Sequence, residues 1–206
     1  VRAMNGPENL GRPIGAEVPR DRAKRLLNGR GRYVDDLFLP RLLHLALVRS
    51  PHAHARILEV DPGDAERLPG VAGVLTAGDL APVLSSWRAE HRLFPTMAAP
   101  RQTALAEDIV RWQGEAVAAV VADSRALAED AAERVRVEYR ELPAVVDGND
   151  ALAPAAPVLH ADLDGNLALA TEISAGDVAA AFAAAAHVAE EHFRFHRHTG
   201  VSLEPR

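Results

Sequence analysis

A soluble α/β domain is the fold class that this 206-residue sequence predicts, and three stretches carry that reading. Ala116–Ala122 is an unbroken apolar run; Leu127, Ala131 and Val135 then recur every fourth residue; and Val135, Val137 and Tyr139 alternate with Arg136, Glu138 and Arg140. The run suits a strand buried on both faces, the fourfold spacing suits the inward stripe of a helix, and the alternation suits a half-buried strand. Strand, helix and strand in that order predict a right-handed βαβ crossover.

The composition can supply the core of such a fold. Hydrophobic residues make up 48% of the chain but aromatic ones only 4%, so the core is aliphatic and packs through many small contacts. A compact chain of this size buries roughly 70% of its unfolded surface, enough for one domain or one domain and part of a second. Cysteine is absent, which removes disulfides, thiolate zinc sites and iron–sulfur ligation from this chain and fits a cytoplasmic location. The longest apolar runs, Ala116–Ala122 and Val178–Ala186, fall far short of the ~20 residues of a membrane span. No hydrophobic signal core opens the chain, so neither secretion nor membrane association is expected. Val1 stands where Met is usual; a GTG start, an excised fragment or a start at Met4 would each account for it.

Charge is uneven. Residues 1–56 hold 11 Lys/Arg against 5 Asp/Glu, and residues 57–206 hold 12 against 24. A basic segment on an acidic body raises the possibility of nucleic-acid binding, but no aromatic interleaving or recognition motif accompanies it. The expected role is domain or subunit contact, with no nucleic-acid partner.

Taken in order, residues 1–28 read as an extended basic arm holding at most one helical turn around Arg22–Leu27. Leu43–Val48 and Ala55–Val60 read as strands, the second broken by Asp61-Pro62-Gly63, where Pro lacks a donor and Gly supplies the turn. Leu68-Pro69-Gly70 opens a further turn before a strand at Val71–Leu75, and Thr76 is placed to cap a helical turn through Leu80. Residues 81–108 are irregular, because Pro82, Pro95 and Pro100 prevent a long helix. A loop of that length is either functional or packed against another chain. Ser124 is the expected cap of the central helix. Residues 148–172 form a Pro/Ala/Asp-rich linker after a domain spanning 29–147, and 173–206 begin a second, truncated domain. In that last part Asp177 caps a helix running to about His187 with Val178 and Phe182 on one face, and Phe193 and Phe195 alternate with His192, Arg194 and His196 as a strand.

Several constellations invite a chemical reading. His192, Arg194, His196 and His198 share one side of a strand at period two, with Glu190 beside them. Three histidines could hold zinc, but the fixed charge of Arg194 opposes a cation, so a polar strand face is the preferred reading and no metal ligand is assigned. Ser50, followed by His52 and His54, lacks the base and oxyanion-hole signature that a nucleophile needs. No G-x-S-x-G elbow, P-loop or dinucleotide fingerprint occurs. Gly29-Arg30-Gly31 is too short to cradle a phosphate and reads as a turn. The acid pairs Asp35-Asp36, Glu107-Asp108 and Glu190-Glu191 diverge if extended, which suits solvated surface better than general acid–base work.

Five segments in order carry a resemblance. Gly29-Arg30-Gly31-Arg32-Tyr33-Val34-Asp35-Asp36 is followed by Val48-Arg49-Ser50-Pro51-His52-Ala53-His54-Ala55-Arg56-Ile57. Then come Pro69-Gly70-Val71 with Val74-Leu75-Thr76 and Asp79-Leu80, next Gly114-Glu115 with Val117-Ala118, and last Val137-Glu138-Tyr139 with Leu142-Pro143-Ala144-Val145. Together, from about residue 12 to the end, they resemble the large, molybdopterin-binding subunit of the xanthine dehydrogenase, aldehyde oxidase and aerobic carbon monoxide dehydrogenase family. The resemblance implies an α/β hammerhead domain lying before the molybdenum-binding domain, and Leu203-Glu204-Pro205-Arg206 is similar to the family's entry into that next domain. It further implies an oxidoreductase that, when complete, hydroxylates an aldehyde, an N-heterocycle or a carbon-monoxide-type substrate, with molybdopterin in the complete subunit and FAD and iron–sulfur clusters on partner subunits or domains. The family's cofactor loops and catalytic Glu have no matching positions here. No catalytic, cofactor-binding or metal residue is therefore carried over, and Glu204 is not assigned the catalytic role. The expected role of the chain is structural, with the loop 81–108 and the arm 1–32 as candidate partner surfaces. A freestanding non-enzymatic hammerhead module and a His-based metal-binding protein are the competing readings.

Overall fold

The structure, a computed structural model, describes residues 23–195. Arg41–His192 form one compact unit, and residues 23–40 with 193–195 belong to another. In the latter, helix α1 (Ala23–Leu27) supplies the single helical turn expected at Arg22–Leu27. A 3-10 turn at Val34–Asp36 follows, closed by the Tyr33 amide donating to Asp36 Oδ2 at 2.9 Å.

The main unit is built on two three-stranded sheets. Strand β1 (His44–Arg49) and β3 (Val71–Thr76) flank β5 (Ala116–Ala122), while β4 (Ile109–Val110) and β6 (Arg136–Glu141) flank β2 (Ala55–Asp61). Every pairing is antiparallel. The strand–helix–strand order expected at 116–139 is present, with helix α3 at Arg125–Ala132. The parallel crossover is not formed, because β1 and β3 already occupy both edges of β5. β6 has no free edge there and pairs with β2 in the other sheet. The two-residue strand β4 is too short to leave a periodic signal in the sequence.

Local chemistry explains most element boundaries. Gly70 closes the Leu68-Pro69-Gly70 turn at φ +92°, where a Cβ would lie 2.8 Å from Leu127 Cδ2. Both the handedness and the helix behind it demand glycine. Thr76 and Asp79 lock helix α2 (Ala77–Leu80): the Thr76 amide and hydroxyl both donate to Asp79 Oδ2, at 2.8 and 2.7 Å. These two bonds hold the Asp79 carboxyl below its ordinary range. Ser124 Oγ accepts from the Leu127 amide at 3.2 Å and starts α3.

Strand β5 feeds two cores. Ala118 and Val120 pack with Val74, Ala65, Ala131 and Val135 beneath α3, whereas Val117 points the other way, onto Ala55, Ala106 and Val110. Burial on both faces is what the apolar run predicts. Val110, Val117 and Val120 are the largest fully buried side chains, each contributing about 1.5–3 kcal/mol. β6 shows the opposite pattern: Val137 and Tyr139 lie inward while Arg136, Glu138 and Arg140 are exposed.

After Pro143 the chain runs through a 3-10 turn at Asp150–Leu152 and reaches helix α4 (Val178–Ala184). Asp177 caps α4 through the Ala180 amide at 2.9 Å, but the helix stops short of the predicted His187. Its face carrying Val178 and Phe182 is exposed. The strand predicted around Phe193 and Phe195 is not formed over residues 192–195. No strand among the described residues pairs with it, and an extended segment without a ladder partner leaves its backbone groups to water. His196 and His198 lie outside the described residues.

Candidate functional site

A cavity of about 520 Å³ in the main unit lies where β1 ends, where the segment 100–115 leads into β5, and where residues 160–162 return. Arg49, at the end of β1, donates Nη1–H to the Gly114 carbonyl at 2.8 Å. Gly114 sits at φ +94°, a conformation that costs a side-chain-bearing residue strain, and its amide donates to the Ser50 carbonyl at 2.8 Å. Arg101 grips Glu107 in a fork of two 2.7 Å bonds, a bidentate geometry that is among the stronger polar contacts. This hydrogen-bonded pair holds the Glu107 carboxyl below its ordinary range.

Residues 157–168, within the predicted linker, are fastened to that loop. The Arg101 amide donates to Asp162 Oδ2 at 3.0 Å, and Arg88 Nη2 lies 2.6 Å from the same carboxylate. Asp162 is consequently held low, first by the Arg101 amide. Arg111 donates Nε–H to the Leu159 carbonyl at 3.0 Å and Nη1–H to the Ile109 carbonyl at 2.9 Å. Ala98 N–H reaches the Ala168 carbonyl at 2.8 Å, and Asn166 bonds Leu159, Ala151 and Pro157. Burial pushes Glu115 upward, against the Arg111 amide that it accepts at 2.5 Å. His160 is pushed down, first by burial and then by the nearby Arg111 charge.

The Ser50–His54 motif forms the passage from β1 in one sheet to β2 in the other. Ser50 Oγ accepts from the His52 amide at 3.0 Å and donates to the His52 carbonyl at 3.1 Å. The hydroxyl is thus engaged in its own turn and is buried at 2% exposure, which leaves it unsuited to attack a substrate. His52 sits edge-on to Tyr139 with ring centroids 4.9 Å apart, and its Nδ1 is 3.5 Å from Glu141 Oε1. His54 turns away: its Nδ1 lies 2.6 Å from the Pro143 carbonyl, and the Leu142 amide donates back to the His54 carbonyl at 3.0 Å. Tyr139 Oη is buried without a hydrogen-bond partner of good geometry, the adjacent polar group being the Ser50 hydroxyl, and burial raises its pKa. The motif is a joint between sheets.

The remaining candidates stay apart. Glu107 and Asp108 diverge as expected, Glu107 to Arg101 and Asp108 to Arg56 at 3.6 Å. Glu190 lies 3.7 Å from His192 on an exposed segment. Gly29 and Arg30 close α1 through bonds to the Leu26 and Arg25 carbonyls, so the Gly29-Arg30-Gly31 triplet is a turn. Among the described residues no three His, Asp or Glu side chains gather to hold a metal ion, and no helix is long and apolar enough to cross a membrane. The cavity has no sequence signature, since three distant segments build it. The only hint lay in the density of Arg, Glu and Asp within an otherwise irregular stretch.

The family model described as "Aldehyde oxidase and xanthine dehydrogenase, a/b hammerhead domain" matches residues 28–143. The chain is 47% identical over 150 residues to the carbon monoxide dehydrogenase large chain of Hydrogenophaga pseudoflava, covering 71% of this chain and 18% of that one. It is 38% identical over 196 residues to the 6-hydroxypseudooxynicotine dehydrogenase complex subunit gamma of Paenarthrobacter nicotinovorans, covering 94% of this chain and 24% of that one. The crystal structure of quinoline 2-oxidoreductase from Pseudomonas putida 86 superposes with a TM-score of 0.75 at 42% identity, over 84% of this chain and 22% of that one. The chain thus spans a quarter or less of the length of these relatives. A match over more than half of the chain, with relatives at these identities, places it in the aldehyde oxidase and xanthine dehydrogenase family, whose a/b hammerhead domain it carries.

Proposed function

We propose that this chain is the N-terminal, structural portion of a molybdenum hydroxylase large subunit, in which the reaction is run by parts of the polypeptide outside these 206 residues. The observation that carries this reading is coverage: the family's hammerhead region is matched, yet only 18% and 24% of the two relatives named above are spanned. In this reading residues 1–28 are an arm, 29–147 the hammerhead domain, 148–172 a connector and 173–206 the start of the molybdenum-binding domain. The exposed Ile173, Val178, Phe182 and Val188 are what the start of a domain lacking its partners would leave open.

Molybdopterin does not fit the cavity. Its phosphate needs an excess of positive charge, whereas the lining sets Glu107, Asp108, Glu115 and Asp162 against Arg49, Arg101 and Arg111, and Arg101 is already paired with Glu107. The cofactor's place in this reading is the rest of the subunit, with FAD and iron–sulfur clusters on partner subunits or domains. The complete enzyme would be cytoplasmic and would oxidise an aldehyde, an N-heterocycle or carbon monoxide; the residues that choose among these lie outside this chain.

Metal analysis tests the proposal. The 206-residue chain, expressed in a host that makes molybdopterin, is expected to carry molybdenum far below one ion per chain, while the complete subunit carries it stoichiometrically. Stoichiometric molybdenum on the short chain would refute it. So would a reading frame that stops directly after Arg206, which supports a freestanding binding module instead.

A further inference from the structure

The two sheets treat water differently. In the second sheet β6 turns Arg136, Glu138 and Arg140 outward, the alternation expected of an antiparallel sheet with one wet face. The first sheet has no such face. On the side opposite α3, register places Leu45 beside Val121, and Leu47 beside Ala119, which in turn pairs with Leu75 of β3. Gly73 completes the row opposite Val121. None of these side chains is charged or can form a hydrogen bond. Val117, which projects to the same side of β5, is covered by Ala55, Ala106 and Val110. The cover reaches Ala119, which is buried, and ends at β1: Leu45 is 58% and Leu47 37% exposed. β1 is also an edge strand, so an apolar face and an open edge coincide.

We propose that this face is an internal interface of the complete subunit, covered by the polypeptide that follows residue 206. The inference rests on the reading that the chain is part of a longer subunit. Two observations select this occupant. The match covers 18% of one relative and 24% of another, so in that reading most of the polypeptide that folds with this domain lies outside it. The row from Leu45 and Leu47 to Leu75 also holds no polar side chain, Arg49 at the end of β1 being turned to the Gly114 carbonyl; interfaces that never separate resemble a domain core cut in half, whereas those between separable partners keep charged and polar side chains.

Cysteine labelling in the complete subunit tests it, with Leu45→Cys and Leu47→Cys made separately and Glu66→Cys, on the exposed 3-10 turn at Ala65–Arg67, as the accessible reference. Reaction with a small maleimide is read peptide by peptide in the mass spectrometer. Positions 45 and 47 are expected to react at least about tenfold more slowly than position 66, both in the isolated complete subunit and in the assembled enzyme. Hydroxyl-radical footprinting of Leu45 and Leu47 in the unsubstituted subunit gives the same comparison if a variant fails to fold. Labelling as fast as at position 66 in both states would overturn the proposal. Protection that appears only on assembly would assign the face to a partner subunit, and protection that rises with protein concentration would assign it to a second copy; either outcome overturns the occupant named here. A reading frame ending at Arg206 would instead end the underlying reading, which separates the two failures.

Discussion

Helices α3 and α4 carry the same local signals and meet different fates. Each is Ala-rich, and each begins with a side-chain cap, Ser124 Oγ on the Leu127 amide and Asp177 Oδ1 on the Ala180 amide. α3 buries Ala128 and Ala131 completely against the first sheet, whereas no residue of α4 is buried. A helix of two turns is marginal in water on propensity alone. The comparison therefore separates what a cap and an alanine run provide from what a packing surface provides. They set where a helix starts. Only the sheet beneath α3 makes that helix part of a core.

The largest expected effect breaks the comparison directly. Ala128→Asp places a carboxylate at a fully buried site with no partner, and is expected to cost about 3 kcal/mol or more. Ala181→Asp in α4 is expected to stay within about 0.5 kcal/mol, as surface substitutions do. Urea unfolding followed by circular dichroism measures both, and a cost at Ala181 matching that at Ala128 would show that α4 packs against something within this chain.

A smaller effect isolates the caps. Ser124→Ala is expected to lower global stability by about 1 kcal/mol. Asp177→Ala removes an equivalent bond from a helix that adds little to the global fold, so it should leave the unfolding midpoint unchanged while lowering amide protection within residues 180–184. Equal shifts in the midpoint would contradict the distinction between the two helices.

The weakest effect concerns the chain between them. Asp162 and Glu107 are both held below the ordinary carboxylate range, Asp162 by the Arg101 amide and Glu107 by the Arg101 side chain. A lowered folded pKa means that these contacts stabilise fully above the unfolded pKa and are lost as pH falls through the depressed folded values. Acidification to below the usual carboxylate range should therefore release residues 157–168 from the loop before α3 is lost. Tryptophan emission reports this, since Trp112 lines the cavity and Trp87 is bridged to Gln102. The early emission change should vanish in Asp162→Asn. A single transition, identical by emission and by circular dichroism and unaltered by that substitution, would rule out a separable strap. Both groups are largely solvated, so salt should weaken the effect further.

Much of the fold was readable in advance because short-range rules govern it. The alternation in Val137 and Tyr139, the run at Ala116–Ala122, the caps at Ser124 and Asp177 and the turns at Gly63 and Gly70 all depend on residues within a few positions of one another. The candidate site was not readable. Arg101 meets Glu107 nearby, but the Asp162 carboxylate and the Leu159 carbonyl arrive from some fifty to sixty positions away, and nothing in the local pattern marks them as partners. The Ser50–His54 motif stood out as a resemblance, yet its work as an inter-sheet joint depends on Glu115, Tyr139 and Pro143, none of them its neighbours in sequence.

The sequence by itself determined most of the element types, the aliphatic core, the absence of thiol chemistry and the family to which the chain belongs. Tertiary structure alone decided which strands share a sheet, because edge occupancy belongs to the assembled sheet and not to any one strand: β6 pairs with β2 since β5 has no edge left. It likewise decided which apolar faces are covered. Hydrophobicity makes a side chain ready to leave water, and only a surface brought to it from elsewhere in the fold lets it do so.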